Sequence, residues 1–157
     1  MSPPSVLFVC LGNICRSPLA EGAMRDAALR AGVQVETDSA GTGGWHAGDP
    51  PDPRAQATAA RHGVDISDLR ARQIRPEDFT RFDHIVAMDR DNLGDLRRMA
   101  PKDTTAHLSL MRDHVPGEKG MSVADPYFGD ASGFDVTWRD VSAGAEGLLR
   151  RITRARG

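Results

Sequence analysis

The sequence has little of what secreted, membrane or nucleic-acid-binding proteins need. It contains two cysteines in 157 residues, too few for the disulfide framework of a secreted domain. No apolar run approaches the ~20 residues of a membrane span, and the start Met1-Ser2-Pro3-Pro4 lacks the features of a signal peptide. Twenty Lys and Arg are balanced by 22 Asp and Glu, whereas nucleic-acid surfaces are usually basic. We therefore expect a cytoplasmic protein with no membrane or nucleic-acid partner.

Length and composition favour a folded single domain. The chain is about as long as one average domain, and a chain of this length buries a sizeable core without disulfides or metals. Its hydrophobic fraction of 39% together with 16 glycines is ordinary for a globular protein. Balanced charge argues against disorder. We expect one domain over residues 1–157.

Strand and helix patterns alternate along the chain. Val6–Val9 is a short apolar run typical of a buried parallel strand, and further strands are expected at residues 33–37, 84–88 and 106–110. A helix is predicted after Ser17 and Pro18, as N-cap and first helical position, and ends near Gly32. Other helices are expected at 54–62, after a possible cap at Asp89, and at 135–154. This order predicts a three-layer α/β fold with a mostly four-stranded parallel sheet and helices on both faces.

The segment Cys10–Ser17 joins the first strand to the first helix. Such a loop turns backbone N–H groups inward beside a positive helix end, which makes an anion cradle. Gly12 and Asn13 tolerate left-handed backbone, and Arg16 offers two parallel hydrogen bonds to a phosphate. No G-x4-G-K-[ST] motif of nucleotide hydrolases is present. The predicted phosphate-binding residues are Leu11, Gly12, Asn13, Ile14, Cys15, Arg16 and Ser17.

Cys10 stands at the head of this loop. The positive field there favours the thiolate, which is the nucleophilic form of cysteine, and the Ser17 hydroxyl can donate a hydrogen bond to it. The alternative is that Cys10 is a small buried apolar residue at the end of a strand. Its C-x4-C spacing from Cys15 does not match a zinc site, so we expect no metal.

The segment Val6–Pro18 resembles the signature of the low-molecular-weight protein tyrosine phosphatases. The resemblance continues, in order, over nearly the whole chain, at Ser39-Ala40-Gly41-Thr42, Trp45-His46, Ala71-Arg72-Gln73-Ile74, Met88-Asp89 and Asp125-Pro126-Tyr127-Phe128-Gly129.

This resemblance implies a metal-free, cofactor-free hydrolysis of phosphotyrosine in proteins or peptides, with inorganic phosphate as product. Cys10 would form a phosphocysteine intermediate, Arg16 would bind the phosphate, and Asp125 would protonate the leaving group and then activate water. From the residues alone Asp89 is a second candidate acid, because it also follows a strand.

The resemblance also assigns supporting roles. It places Trp45 and Tyr127 on either side of the substrate ring, and it gives Asn13, Ser17 and Ser39 the task of holding the phosphate loop by hydrogen bonds. The chain departs from the family at two positions. Leu69 stands where a His commonly joins the network around the loop, and Phe128 stands where many members have a second Tyr.

Cys15 is a candidate redox partner of Cys10. The two thiols lie at opposite ends of one tight loop, which can bring them within disulfide range. Peroxide would convert Cys10 to a sulfenic acid that Cys15 then captures. The alternative is that Cys15 is a buried packing residue.

Two other functions are alternatives to the phosphatase hypothesis. A phosphatase-like arsenate reductase would use the same oxyanion cradle, but it needs further cysteines downstream, and none follows Cys15. A phosphotyrosine-binding module without turnover would typically lack the thiol or the acid, and both are present.

Overall fold

The core of the molecule is one parallel sheet, seen in a computed structural model that describes residues 2–156. Four strands form it: β1 (Ser5–Cys10), β2 (Glu36–Gly41), β3 (His84–Ala87) and β4 (His107–Leu110). Their order is β2-β1-β3-β4, and each neighbouring pair is parallel. The predicted four-stranded parallel sheet is confirmed.

Helices connect the strands and close the chain. They are α1 (Arg16–Ala31), α2 (Pro53–Arg61), α3 (Asp78–Arg81), α4 (Arg90–Met99) and α5 (Ser132–Arg156), and a short 3-10 turn covers Met111–His114. Within residues 2–156, none of these helices combines the length and apolarity that crossing a bilayer requires.

Successive side chains of β1 point to opposite faces of the sheet, and both faces are buried. Val6 and Phe8 point into a large core cluster with residues of α1 and α5, whereas Leu7 and Val9 point into a second cluster with residues of α3 and α4. All six residues of β1 are buried, as in a sheet covered on both sides. The predicted three-layer arrangement is therefore confirmed, and it leaves the carboxyl ends of the strands free for a site.

Several predicted boundaries are wrong. The second strand ends at Gly41 rather than at residue 37, and the closing helix begins at Ser132 rather than at residue 135. Two other differences have a local cause. The first helix begins at Arg16, and Ser17 lies inside its first turn rather than at its N-cap, because the Ser17 hydroxyl is engaged by the preceding loop. The second strand begins at Glu36 rather than at residue 33. The amide of Val33 instead hydrogen-bonds the Ala28 carbonyl at the end of α1, where Gly32 adopts the left-handed conformation with φ of 69°.

Candidate active site

A cavity of about 180 Å³ lies at the carboxyl end of β1. The loop that follows β1 forms its base, and α1 begins beneath that loop. Segments distant in the sequence complete its walls. The residues that line it are Cys10, Leu11, Gly12, Ile14, Cys15, Arg16, Trp45, His46, Asp125, Tyr127 and Phe128.

The loop after β1 presents its amides to the cavity because its carbonyls are bonded elsewhere. The Cys10 carbonyl accepts a hydrogen bond from the Thr42 amide at 2.9 Å, and the Leu11 carbonyl accepts one from the Gly43 amide at 3.0 Å. Within residues 2–156 the amides of the loop, apart from that of Asn13, have no acceptor and are free for an anion: those of Leu11, Gly12, Ile14, Cys15, Arg16 and Ser17. Unpaired amides at a helix N-terminus are the usual binding groups for phosphate.

Asn13 fixes the shape of the loop. Its φ of 59° is the single positive value at a non-glycine position within residues 2–156, as the sequence predicted. The Asn13 carboxamide oxygen accepts from the Arg72 amide at 3.0 Å, and its nitrogen donates to Ser17 Oγ at 2.8 Å. Gly12 does not share this conformation, so that part of the prediction is wrong. Gly12 instead makes room for the ring of His46, which lies 3.1 Å from the position of a Cβ.

Two donors converge on the sulfur of Cys10. The Asn13 amide donates to Sγ at 3.3 Å, and Ser17 Oγ lies 3.0 Å from it. A thiolate at Cys10 can only accept, so the Ser17 hydroxyl, whose oxygen accepts from the Asn13 side chain, then donates its proton to the sulfur. Hydrogen-bond donors directed at a sulfur stabilise its thiolate form, both as a nucleophile and as a leaving group.

Arg16 is buried, with 3% of its surface exposed, and its guanidinium spans the site. Nη1 donates to Asp89 Oδ2 at 2.7 Å and to the Val123 carbonyl at 3.0 Å. Nη2 lies 3.5 Å from Asp125 Oδ2. These contacts hold the fork of donors against the cavity, where it can bind two oxygens of one phosphate.

The two candidate acids occupy different places. Asp89 uses both carboxylate oxygens, one for Arg16 and one for the Asn92 amide at 2.7 Å, which caps α4. Asp125 lines the cavity and remains partly exposed, while its Oδ1 accepts from the Tyr127 amide at 3.1 Å. Of the two carboxylates, Asp125 therefore lines the cavity, and the helix-cap interpretation of Asp89 is confirmed.

Aromatic side chains form the mouth of the cavity. Trp45 is 71% exposed and lies across Gly43, where a side chain would collide with its ring. Tyr127 and Phe128 pack edge to face, with ring centroids 4.9 Å apart. Phe128, which is 93% exposed, and His46 also line the cavity. Sequence reasoning did not place these two there.

Asp52 and Arg54 connect the phosphate loop to the loop that carries Asp125. The Asp52 amide donates to the Ile14 carbonyl at 2.8 Å. Its carboxylate binds the Arg54 guanidinium twice, at 3.0 and 2.9 Å, and these hydrogen bonds hold the pKa of Asp52 below its usual value. The Arg54 guanidinium in turn lies over the rings of Tyr127 and Phe134, at 5.5 and 4.8 Å from their centroids.

One predicted supporting residue, Ser39, makes no hydrogen bond to the loop within residues 2–156. The Ser39 amide donates to Asp38 Oδ1 at 2.8 Å, within β2. The predicted hydrogen bond from Ser39 to the loop is therefore wrong. Leu69 packs at the edge of the larger core cluster, and Asn13 receives its hydrogen bond from the Arg72 backbone instead.

Cys15 is buried at the far end of the loop, with its thiol free. Burial raises the pKa of Cys15 to about 12, and the negative charge of Asp52 adds to the increase. The thiol is consequently protonated at neutral pH.

Comparison with known proteins identifies the family and the fold. The family described as Low molecular weight phosphotyrosine protein phosphatase matches residues 5–156. The chain is 42% identical over 152 residues to Low molecular weight protein-tyrosine-phosphatase YfkJ of Bacillus subtilis, covering 96% of both chains. The solved structure of YfkJ covers 100% of this chain and 99% of its own, with a TM-score of 0.92.

One similar structure carries a different activity in its name. The Drosophila arginine phosphatase DARP is 32% identical, covers 93% of this chain and 96% of its own, and has a TM-score of 0.88. The match of the family over nearly the whole chain, and the relatives that share more than two fifths of its residues, decide the assignment. The chain belongs to the low molecular weight phosphotyrosine protein phosphatase family.

Proposed function

We propose that this protein, a protein-tyrosine phosphatase by family, hydrolyses phosphotyrosine by two successive displacements at phosphorus on Cys10. The observation that carries the proposal is the position of the Cys10 sulfur. The sulfur lines the cavity, with the Asn13 amide at 3.3 Å and Ser17 Oγ at 3.0 Å from it. Arg16 and Asp125, whose side chains lie 3.5 Å apart, line the same cavity.

In the first step the Cys10 thiolate attacks phosphorus and the bond from phosphorus to the phenolic oxygen breaks. Asp125, protonated, gives its proton to that oxygen, so tyrosine leaves as a neutral phenol. Arg16 and the free loop amides bind the non-bridging oxygens and stabilise the charge that they carry in the transition state.

In the second step a water molecule attacks the phosphorus of phosphocysteine. Asp125, now a carboxylate, takes the proton of that water, and the sulfur–phosphorus bond breaks to return the thiolate and inorganic phosphate. The Ser17 hydroxyl, 3.0 Å from the sulfur, stabilises the thiolate as it leaves. One carboxyl group thereby serves as acid and then as base.

Aromatic walls favour a phosphorylated phenol over an alkyl phosphate. The rings of Trp45 and Tyr127 line the mouth of the cavity, and aromatic faces and edges pack well against a flat ring. We expect substrates that present phosphotyrosine on a protein or peptide chain. Phosphoarginine carries no such ring, so its hydrolysis should be much slower.

The test compares the two cysteines of the loop. Cys10→Ser should abolish hydrolysis of an aryl phosphate while phosphate binding is retained in part, because the cradle is mostly backbone. Cys15→Ser, the matched control, should keep turnover. Arg16→Ala should lose both binding and rate. Substantial turnover by Cys10→Ser would contradict the covalent mechanism.

A chelator arm tests the role of metals. Arg16 and the loop amides supply the positive field, so a chelator should leave the rate unchanged. A loss of activity that zinc or magnesium restores would show that the cradle alone does not bind the phosphate.

We also propose that the whole chain is one catalytic domain, that it works in the cytoplasm, and that Cys15 protects Cys10 from irreversible oxidation. The single sheet supports the first point, and two reduced thiols suit a reducing compartment. The third point depends on the position of both thiols at one loop, where a sulfenic acid on Cys10 meets a nearby partner.

A further inference from the structure

A second cavity, of about 220 Å³, lies beside the active-site cavity. The two cavities share Leu11 and Trp45 in their linings. Three residues of α4 also line the second cavity: Met99 at the end of the helix, Arg98 directly before it, and Asp95 one turn earlier. We refer to this second cavity as the Met99 groove.

The Trp45 side chain separates the two cavities and lines both of them. Its ring lies directly on the backbone of Gly43, because any side chain at that position would run into it. Gly43 also lines the Met99 groove. The ring thus packs on the Gly43 backbone although it is largely exposed, and a ligand in one cavity lies a single side chain away from the other.

Exposed apolar side chains are concentrated around these two cavities. Eight large hydrophobic side chains are exposed in the described part of the chain, and five of them line one cavity or the other. They are Leu11, Trp45, Met99, Tyr127 and Phe128. Exposed apolar surface grouped in this way marks a binding site rather than ordinary surface variation.

Charge in the Met99 groove is already neutralised. Asp95 and Arg98 form an ion pair with each other across one turn of α4. Arg98 therefore offers little to an acidic side chain, and Asp95 offers little to a basic one. What remains for a ligand is the apolar surface of Leu11, which is 46% exposed, and of Met99, which is 39% exposed.

We infer that the Met99 groove binds an apolar side chain of the substrate, located within three residues of the phosphotyrosine. The inference rests on the proposed function, which places the phosphorylated ring on the opposite side of Trp45. A peptide crossing the mouth of the active site in extended form advances about 3.3 Å per residue. A residue close to the phosphotyrosine thus passes over the edge of Trp45, and its side chain enters the groove.

The experiment uses phosphotyrosine peptides of Gly and Ser in which Leu replaces Ser at each position from three before to three after the phosphotyrosine. At one or more positions Leu should raise kcat/KM by ~3- to 10-fold, the effect of burying part of a leucine side chain. Glu or Lys at the same position should give no such gain. A larger gain from Glu than from Leu would overturn the inference in favour of charge recognition.

Variants locate the effect in the groove. Met99→Glu should remove the gain from Leu, and Met99→Ala should reduce it. Met121→Ala, which alters another exposed methionine outside both cavities, is the control and should retain the gain. If Met99→Glu kept the full gain, the apolar preference would arise elsewhere, and the inference would fail.

A small aryl phosphate separates this inference from the proposed function. Its rate should be equal in the wild type and in all three methionine variants, because it does not reach the groove. Hydrolysis of the small substrate with no discrimination among peptides would overturn the groove and leave the phosphatase mechanism standing. No hydrolysis of either substrate would overturn the proposed function itself.

Discussion

Asp89 orients the Arg16 guanidinium through a direct hydrogen bond. Its Oδ2 accepts from Arg16 Nη1 at 2.7 Å, and its Oδ1 caps α4 through the Asn92 amide. Asp89 is therefore fixed at the start of a helix while it orients the phosphate-binding side chain. Asp125, in contrast, reaches the same guanidinium from the cavity side, at 3.5 Å.

This difference predicts distinct kinetics for the two carboxylates. Asp125→Asn should slow the chemical step by ~10²–10⁴, the usual contribution of a general acid. The loss should shrink for aryl phosphates whose leaving groups need no proton. Asp89→Asn should weaken phosphate binding through Arg16, with a loss that is similar for all leaving groups. Rates over a series of substituted phenyl phosphates measure both effects, and a steeper leaving-group dependence in Asp89→Asn would reverse the assignment.

Arg54 should act as a positioning residue for the loop that carries Asp125. Its guanidinium is bound by Asp52 and lies over the Tyr127 ring, and the Tyr127 amide donates to Asp125. Arg54→Lys keeps the charge but loses the planar fork and its stacking. We expect kcat to fall ~3- to 30-fold and to depend more steeply on the leaving group, as a misplaced acid would cause.

The matched control is Arg61→Lys, which alters another arginine of α2 that pairs with Asp135 away from the cavity. It should leave kcat unchanged. Equal losses in the two variants would mean that Arg54 contributes only to the stability of α2.

The local part of the site could be predicted from the sequence, and the long-range part could not. The strand, the loop and the positive φ of Asn13 follow from residue types that are adjacent in the chain. The contact of Asp89 with Arg16 joins residues 73 positions apart, and no periodic pattern encodes such a pair. Asp125 is likewise distant from Cys10 in the sequence, so its role was predicted from the family resemblance and not from a local pattern.

Boundaries were wrong where tertiary contacts overrode local preferences. Ser17 is a good N-cap residue, but its hydroxyl serves the Cys10 sulfur instead. The sequence pattern predicted no element for residues 111–114, where the structure has the 3-10 turn Met111–His114. It forms there because Met111 is buried in the core and α5 packs against it, with Gly144 leaving room for its side chain.

Oxidation tests the role of Cys15. Peroxide should convert the Cys10 sulfur to a sulfenic acid, and Cys15 should attack that sulfur, forming the disulfide and releasing water. A dithiol should then restore activity in the wild type but much less in Cys15→Ala. Because the pKa of Cys15 is raised to about 12, the protective step should accelerate as the pH rises. Equal recovery of both proteins would show that Cys15 has no protective role.

His114 should make the fold sensitive to mild acid. Burial lowers the pKa of His114 to about 4, and the positive charge of Arg151 adds to the decrease. Between about pH 6.5 and pH 4 the unfolded chain binds this proton and the folded chain does not, so stability falls as the pH falls. The loss from this group should reach about 2 kcal/mol at pH 5 relative to pH 8.

Urea unfolding at pH 8 and pH 5 measures this loss. His114→Gln should lose less stability on acidification than the wild type, because the buried group that titrates is gone. His62→Gln, which removes an exposed histidine that does not contribute to the lowered pKa of His114, should show the same pH dependence as the wild type. The same pH dependence in all three proteins would assign the acid sensitivity to other groups.

The phosphocysteine intermediate is the central claim, and rapid-quench mass spectrometry tests it most directly. In Asp125→Asn, mixed with an aryl phosphate whose leaving group needs no proton, the second step lacks its base and the intermediate should accumulate. The peptide that contains Cys10 should then gain the mass of one phosphoryl group, and Cys10→Ser should show no such gain. Turnover of the aryl phosphate with an unmodified Cys10, or with the phosphoryl group on another residue, would contradict the account.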